Sequence, residues 1–176
     1  AIRFAKKEWS QTKKQSIFGL TTCNGKKLVF LVPKPWKSED WVKEINDKVI
    51  PFLKQAFPNR SSFTILLDGE KLLHAPIAKA QMDGGGIKVF PNWPVYSPDL
   101  NPQEHVWAYT EDKLRDIEGD RDTFETFREK VLAAARTYPA REAIHWHAEK
   151  DGEARRSRGW PHRQVIGFKR LCMPSP

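Results

Sequence analysis

Residues Ser62–Leu67 read SFTILL, and Asp68-Gly69 follows at once. Apolar side chains at consecutive rather than alternating positions suit a strand covered on both faces, and a run this short that ends in a turn signal is strand-length. A sheet buried on both faces needs helices above and below it, so this one segment points to a layered α/β fold. The chain then supplies a return path. A short helical pattern at Pro76–Gln81, the triplet Gly84-Gly85-Gly86 and a second apolar run at Ile87–Phe90 follow in order. That spacing predicts a crossover that sets two strands parallel.

Upstream, Gln15–Thr22 (QSIFGLTT) and Lys27–Val32 (KLVFLV) are β-prone runs on either side of Asn24-Gly25, which predicts an antiparallel hairpin. After Pro33, Pro35 and Ser38, apolar residues recur every fourth position at Trp41, Ile45, Val49, Leu53 and Phe57, which predicts one helical face, with Pro51 bending or dividing the helix. Downstream, the irregular segment PNWPVYSPDLNP leads into a helical pattern over Gln103–Arg115, with Pro102 suited to its first position. A second helix is expected over Thr123–Thr137, capped by Asp122, and a third over roughly 140–154. The length of 176 residues suits one domain, taken here as 1–154, followed by a basic, loosely structured tail over 155–176.

Charge is distributed unevenly along the chain. Residues 1–60 hold 13 Lys/Arg against 5 Asp/Glu, residues 155–176 hold 6 basic side chains and no acid, and the stretch between carries a net −6. Basic flanks around an acidic centre suit a protein that grips a polyanion at its edges and holds a divalent cation in the middle, although a generic basic surface explains the charge equally well. By clustering, Lys6, Lys7, Lys13, Lys14, Arg155, Arg156 and Arg158 are the candidate phosphate contacts. No run approaches the ~20 apolar residues that span a bilayer, and AIRFAKKEWS lacks the apolar core of a secretory leader. The expectation is no membrane partner and an intracellular location: nucleus in a eukaryote, cytoplasm in a bacterium. Cys23 and Cys172 stand far apart with no metal-type spacing, so two free thiols are expected.

Phosphodiester chemistry on two metal ions needs hard oxygen ligands from different elements of a rigid sheet. Asp68, at the end of a buried strand, and Glu104, in the first turn of the helix after the Pro-rich loop, meet the sequence side of that requirement with 35 residues between them. Each also has a plain structural explanation, Asp68 as a turn residue and Glu104 as a complement to the helix dipole. The segment Tyr96-Ser-Pro-Asp-Leu-Asn-Pro-Gln-Glu-His-Val-Trp107 resembles the hallmark motif of mariner-like DDE transposases and related bacterial insertion-sequence transposases. Leu67-Asp68 followed by His74 resembles the second-carboxylate motif of the same family.

The resemblance implies a ribonuclease H-like core: a mixed sheet flanked by helices, its first strand missing or abbreviated in this chain. It implies Asp68 and Glu104 as catalytic ligands of a Mg²⁺ or Mn²⁺ pair, DNA as partner, a homodimer or larger assembly, and no small-molecule cofactor. His74 is expected beside the metal ligands, and Asp99 and Asn101 as braces of the loop. Two departures stand out. Gly69 takes the place of the family's usual asparagine, with His74 six rather than five positions beyond Asp68, and no acidic residue precedes Glu8 to serve as the family's first aspartate. Asp40 and Asp47 sit at the start of, or within, the expected helix, where capping and a solvated face account for them. The chain is therefore expected to be either a catalytic core lacking its upstream part or a captured transposase fragment that binds nucleic acid or scaffolds an assembly without catalysis.

Overall fold

The computed structural model describes residues 14–32, 35–91, 101–117, 123–142 and 164–172. The chain forms a five-stranded mixed sheet between two layers of helix. Strand β1 (Lys14–Thr21) pairs antiparallel with β2 (Lys27–Val32) through the expected hairpin, with Gly19 opposite Val29. The turn closes on two backbone bonds, Thr22 N–H to Lys26 O and Gly25 N–H to Thr22 O, each 2.9 Å. Gly25 holds a positive φ of 79° and lies against Ala140, so neither its backbone nor its surroundings leave room for a side chain.

The helix expected from the four-residue spacing is present but changes pitch. It runs as α1 (Ser38–Glu44), a π-turn at Ile45–Val49, and α2 (Ile50–Ala56). An α-helix repeats every 3.6 residues, so positions four apart would rotate off the sheet; the wider π-turn restores the register. Trp41, Ile45, Val49 and Leu53 all stay at or below 1 % exposure. Pro51, which has no N–H to donate, sits in the first turn of α2 rather than kinking the helix at its own position. Asp40 accepts from the Lys37 N–H at 2.9 Å, which is the capping use expected of it.

Strand β3 (Phe63–Leu67), helix α3 (Pro76–Gly84) and strand β4 (Ile87–Val89) form the anticipated parallel crossover. Helix α4 spans Pro102–Ile117, and α5 spans Phe124–Thr137. The cap of α5 is Thr123, whose hydroxyl accepts from the Thr126 N–H at 3.2 Å; the expected cap, Asp122, lies outside the described residues. Residues 140–142 are helical, and the remainder of the third expected helix also lies outside them.

The expectation of a loose C-terminal tail needs correction at 164–172. These residues form strand β5 (Gln164–Cys172), the middle strand in the order β2-β1-β5-β3-β4. It runs antiparallel to β1 and parallel to β3. The apolar residues Val165, Ile166, Phe168 and Leu171 carry the β propensity, but basic and proline-rich neighbours mask it, and the partners that order it lie more than 90 residues upstream.

The sheet buries both faces. Phe18, Leu20, Phe63, Ile65 and Leu67 pack with α1, α2 and α3 on one side. Ile17 and Val29 pack with Val106, Trp107, Phe127 and Val131 of α4 and α5 on the other. Alternation along β1 thus sends odd positions toward α4 and even positions toward α1.

Candidate active site

Asp68 follows β3 directly. Since Phe63, Ile65 and Leu67 face α1–α3, the alternation puts Thr64, Leu66 and then position 68 on the α4 side of the sheet. One Asp68 carboxylate oxygen accepts from the Gly69 N–H at 2.7 Å, and the backbone carbonyl of Asp68 pairs with His74 Nε2 at 2.8 Å. His74 closes a 3₁₀ turn at Lys71–His74, so its ring ties the loop after β3 back to the strand end through the main chain, not through the carboxylate. Gly69 has open space around it.

Glu104 lies in the first turn of α4, where the helix dipole presents its positive end and favours a carboxylate. Asn101 builds that end. It is 5 % exposed, its side-chain oxygen accepts from the Gln103 N–H at 3.0 Å, and its carbonyl accepts from the Glu104 N–H at 3.0 Å. These two bonds tie Asn101 to the first turn of α4. Val106 and Trp107 are fully buried in the core between α4, α5 and the sheet.

The strand register relates Asp68 to the start of α4. Thr21 pairs with Val165 of β5, and Val165 pairs with Leu66 of β3; one step further, Leu20, Ile166 and Leu67 align. Gly19 pairs with Gly167, and continuing the β3–β5 register brings Asp68 beside Gly167. Gln103 of α4 sits on Gly19, where a Cβ would collide with its Nε2 and come within 2.9 Å of its Cδ. The start of α4 is thus seated at the same level of the sheet as Asp68, on the same face and two strands away, or about 10 Å at the usual strand spacing.

Among the described residues no group of three His, Cys, Asp or Glu side chains gathers as a ready metal site. Asp68 and Glu104 are hard oxygen donors that suit Mg²⁺ or Mn²⁺, and two such donors make part of a coordination shell. Asp99, Lys6, Lys7, Lys13, Arg155, Arg156 and Arg158 lie outside the described residues; Lys14 opens β1. The sequence pattern passed over Thr21 and Gln103, both buried at this junction. Gly19 inside an otherwise apolar strand was the available signal, because a strand glycine often marks a close approach.

No helix among the described residues is long and apolar enough to cross a membrane. No curated protein matches the chain. The family model described as DDE superfamily endonuclease matches residues 3–128, a span that contains both carboxylates and the sheet from β1 to β4. The mixed sheet flanked by helices agrees with the ribonuclease H-like fold of such nucleases, which generally use divalent metals and act on DNA. Over most of its length, then, this chain belongs to the DDE superfamily endonucleases.

Proposed function

We propose that the chain is a transposase-type catalytic core that cleaves DNA strands and transfers the freed ends, the cut-and-paste route of transposition. The observation that carries this is the common level of Asp68 and the α4 start on one sheet face, within a chain of the DDE endonuclease family. Asp68 and Glu104 would hold the metal through their carboxylate oxygens, as two members of a donor set that needs a further ligand. When bound, a divalent cation would act as a Lewis acid and activate water, and later the 3′-hydroxyl of the freed DNA end, as nucleophile near neutral pH. The protein's own part is positional. His74 fixes the main chain at Asp68, Asn101 fixes the first turn of α4, and the basic segments at either end of the chain hold phosphates without reading sequence. DNA transposition of this kind favours a homodimer or larger assembly.

The test is nicking of supercoiled plasmid in Mn²⁺ by the chain and by its Asp68→Asn and Glu104→Gln variants. Nicking by the parent alone, abolished by chelation, is expected; equal nicking by all three would sink the assignment. A second reading, a noncatalytic nucleic-acid-binding subunit, draws on strand β5, which holds the middle of the sheet with no acidic residue, and on Gly69 after Asp68. DNA retention without nicking would favour it.

A further inference from the structure

We propose that Gln103 is a positioning residue that sets where Glu104 stands over the sheet, acting through Thr21 and the notch at Gly19. This rests on the assignment of Glu104 as a metal ligand. Gln103 is fully buried although it neighbours the only partly buried Glu104 in the first turn of α4. Its Oε1 accepts from the Thr21 hydroxyl at 2.8 Å, across 82 residues of chain, and Thr21 is itself 1 % exposed. Its amide lies over Gly19, the place on β1 where a side chain has been omitted; a Cβ there would also approach Trp107 Cη2 to 2.7 Å.

Stability alone does not explain this choice of residues. Gln103 Nε2 is buried with no hydrogen-bond partner among the described residues, and a buried unmet donor is unfavourable. A methionine would fill the same volume without that cost, and replacing both members of a buried polar pair by apolar groups of similar shape is often neutral or stabilising. What the pair supplies is direction: a hydrogen bond fixes the azimuth and height of the first helical turn, whereas apolar packing tolerates sliding. The bond is made to the strand position aligned with Leu66, two residues before Asp68, so it ties the Glu104 turn to the sheet level that ends in Asp68.

The experiment measures Mn²⁺ affinity, by electron paramagnetic resonance of free Mn²⁺, and thermal unfolding without metal. The variants are Thr21→Val/Gln103→Met, Thr21→Ser, Asp68→Asn and Glu104→Gln in the full chain. The expected result is at least a tenfold weaker Mn²⁺ affinity in the double variant with its melting temperature unchanged or raised, and affinity retained in Thr21→Ser, which keeps the hydroxyl. Parent-like affinity in the double variant, while Asp68→Asn and Glu104→Gln both lose it, overturns the positioning role and leaves the site intact. Unaltered affinity in those two carboxylate variants overturns the site assignment and the positioning role with it. Should the double variant not fold, Thr21→Val alone against Thr21→Ser decides: equal affinities overturn the proposal, and weaker binding by Thr21→Val supports it.

Discussion

The two faces of the sheet are packed by different rules. On the α1–α3 face the buried residues are apolar almost throughout, with Phe18 stacked on Phe30 at 4.7 Å and tilted against Trp41 at 5.0 Å, and the helix changes pitch to keep Trp41, Ile45, Val49 and Leu53 pointing inward. On the α4–α5 face a smaller apolar cluster shares the interface with buried Thr21, Asn101, Gln103 and Thr110, and a strand side chain is left out at Gly19. One face is arranged for cohesion. The other gives up cohesion to fix the start of a single helix, and that is the helix that carries Glu104.

The sharpest way to break this contrast is to hollow each face in turn. Trp41→Ala should cost about 3–5 kcal/mol in urea unfolding, as expected for a fully buried large aromatic. A loss under about 1 kcal/mol would mean that the α1–α3 face is not the main source of stability. Next in size is Gly19→Val, which drives a branched side chain into Gln103 and Trp107 and should cost about 1–3 kcal/mol by overpacking. Gly69→Ala provides the control: with nothing within 4 Å, it should stay within about 0.5 kcal/mol of the parent. Equal effects at the two glycines would remove the notch from the account.

Much of this contrast could be read in the sequence, and unequally. The α1–α3 face is built from neighbours in the chain, so the hairpin, the four-residue stripe from Trp41 and the strand–helix–strand return all announced themselves through local periodicity. The polar seating of α4 did not, because Thr21 and Gln103 meet across 82 residues and neither is unusual in its own neighbourhood. Strand β5 was hidden for the same reason: its partners are distant, and Lys169 and Arg170 made an apolar strand resemble the basic tail around it. The cap of α5 shows the smaller error, one residue of offset between two competent capping residues, Asp122 and Thr123. Asp68 and Glu104 were visible as candidates because a carboxylate at a strand end and one in a helix first turn are local signals. The common sheet level of Asp68 and the start of α4 emerges only from the register.

Two further effects are smaller. Asn101→Ala removes the side-chain acceptor at the start of α4 and should cost about 0.5–2 kcal/mol, with the loss confined to the α4–α5 face in hydrogen exchange. Uniform deprotection of both faces would argue that they unfold as one unit. The smallest effect concerns Lys27, which donates to the Tyr138 carbonyl and lies over its ring at 5.5 Å. Burial lowers the Lys27 pKa below its ordinary value, while burial and then the Glu142 charge raise that of Tyr138. For Lys27 the unfolded chain holds its proton to higher pH, so this group's contribution to stability rises between the folded pKa and the unfolded value of about 10.4. For Tyr138 the folded chain holds the proton longer, so stability falls as pH passes about 10. Lys27→Met should remove the rise and leave the fall, read as urea midpoints across the alkaline range; an unchanged profile would show that Lys27 titrates alike in both states.

The central proposal is that Asp68 and Glu104, carried by a strand end and a helix start seated at one level of one sheet face, serve a single metal site. Calorimetric titration of Mn²⁺ into the chain, into Asp68→Asn, into Glu104→Gln and into the double variant tests it most directly. The account predicts saturable binding that either single substitution abolishes, so that the double variant is no worse than each single one. Losses that add independently, or binding that survives both substitutions, would contradict it.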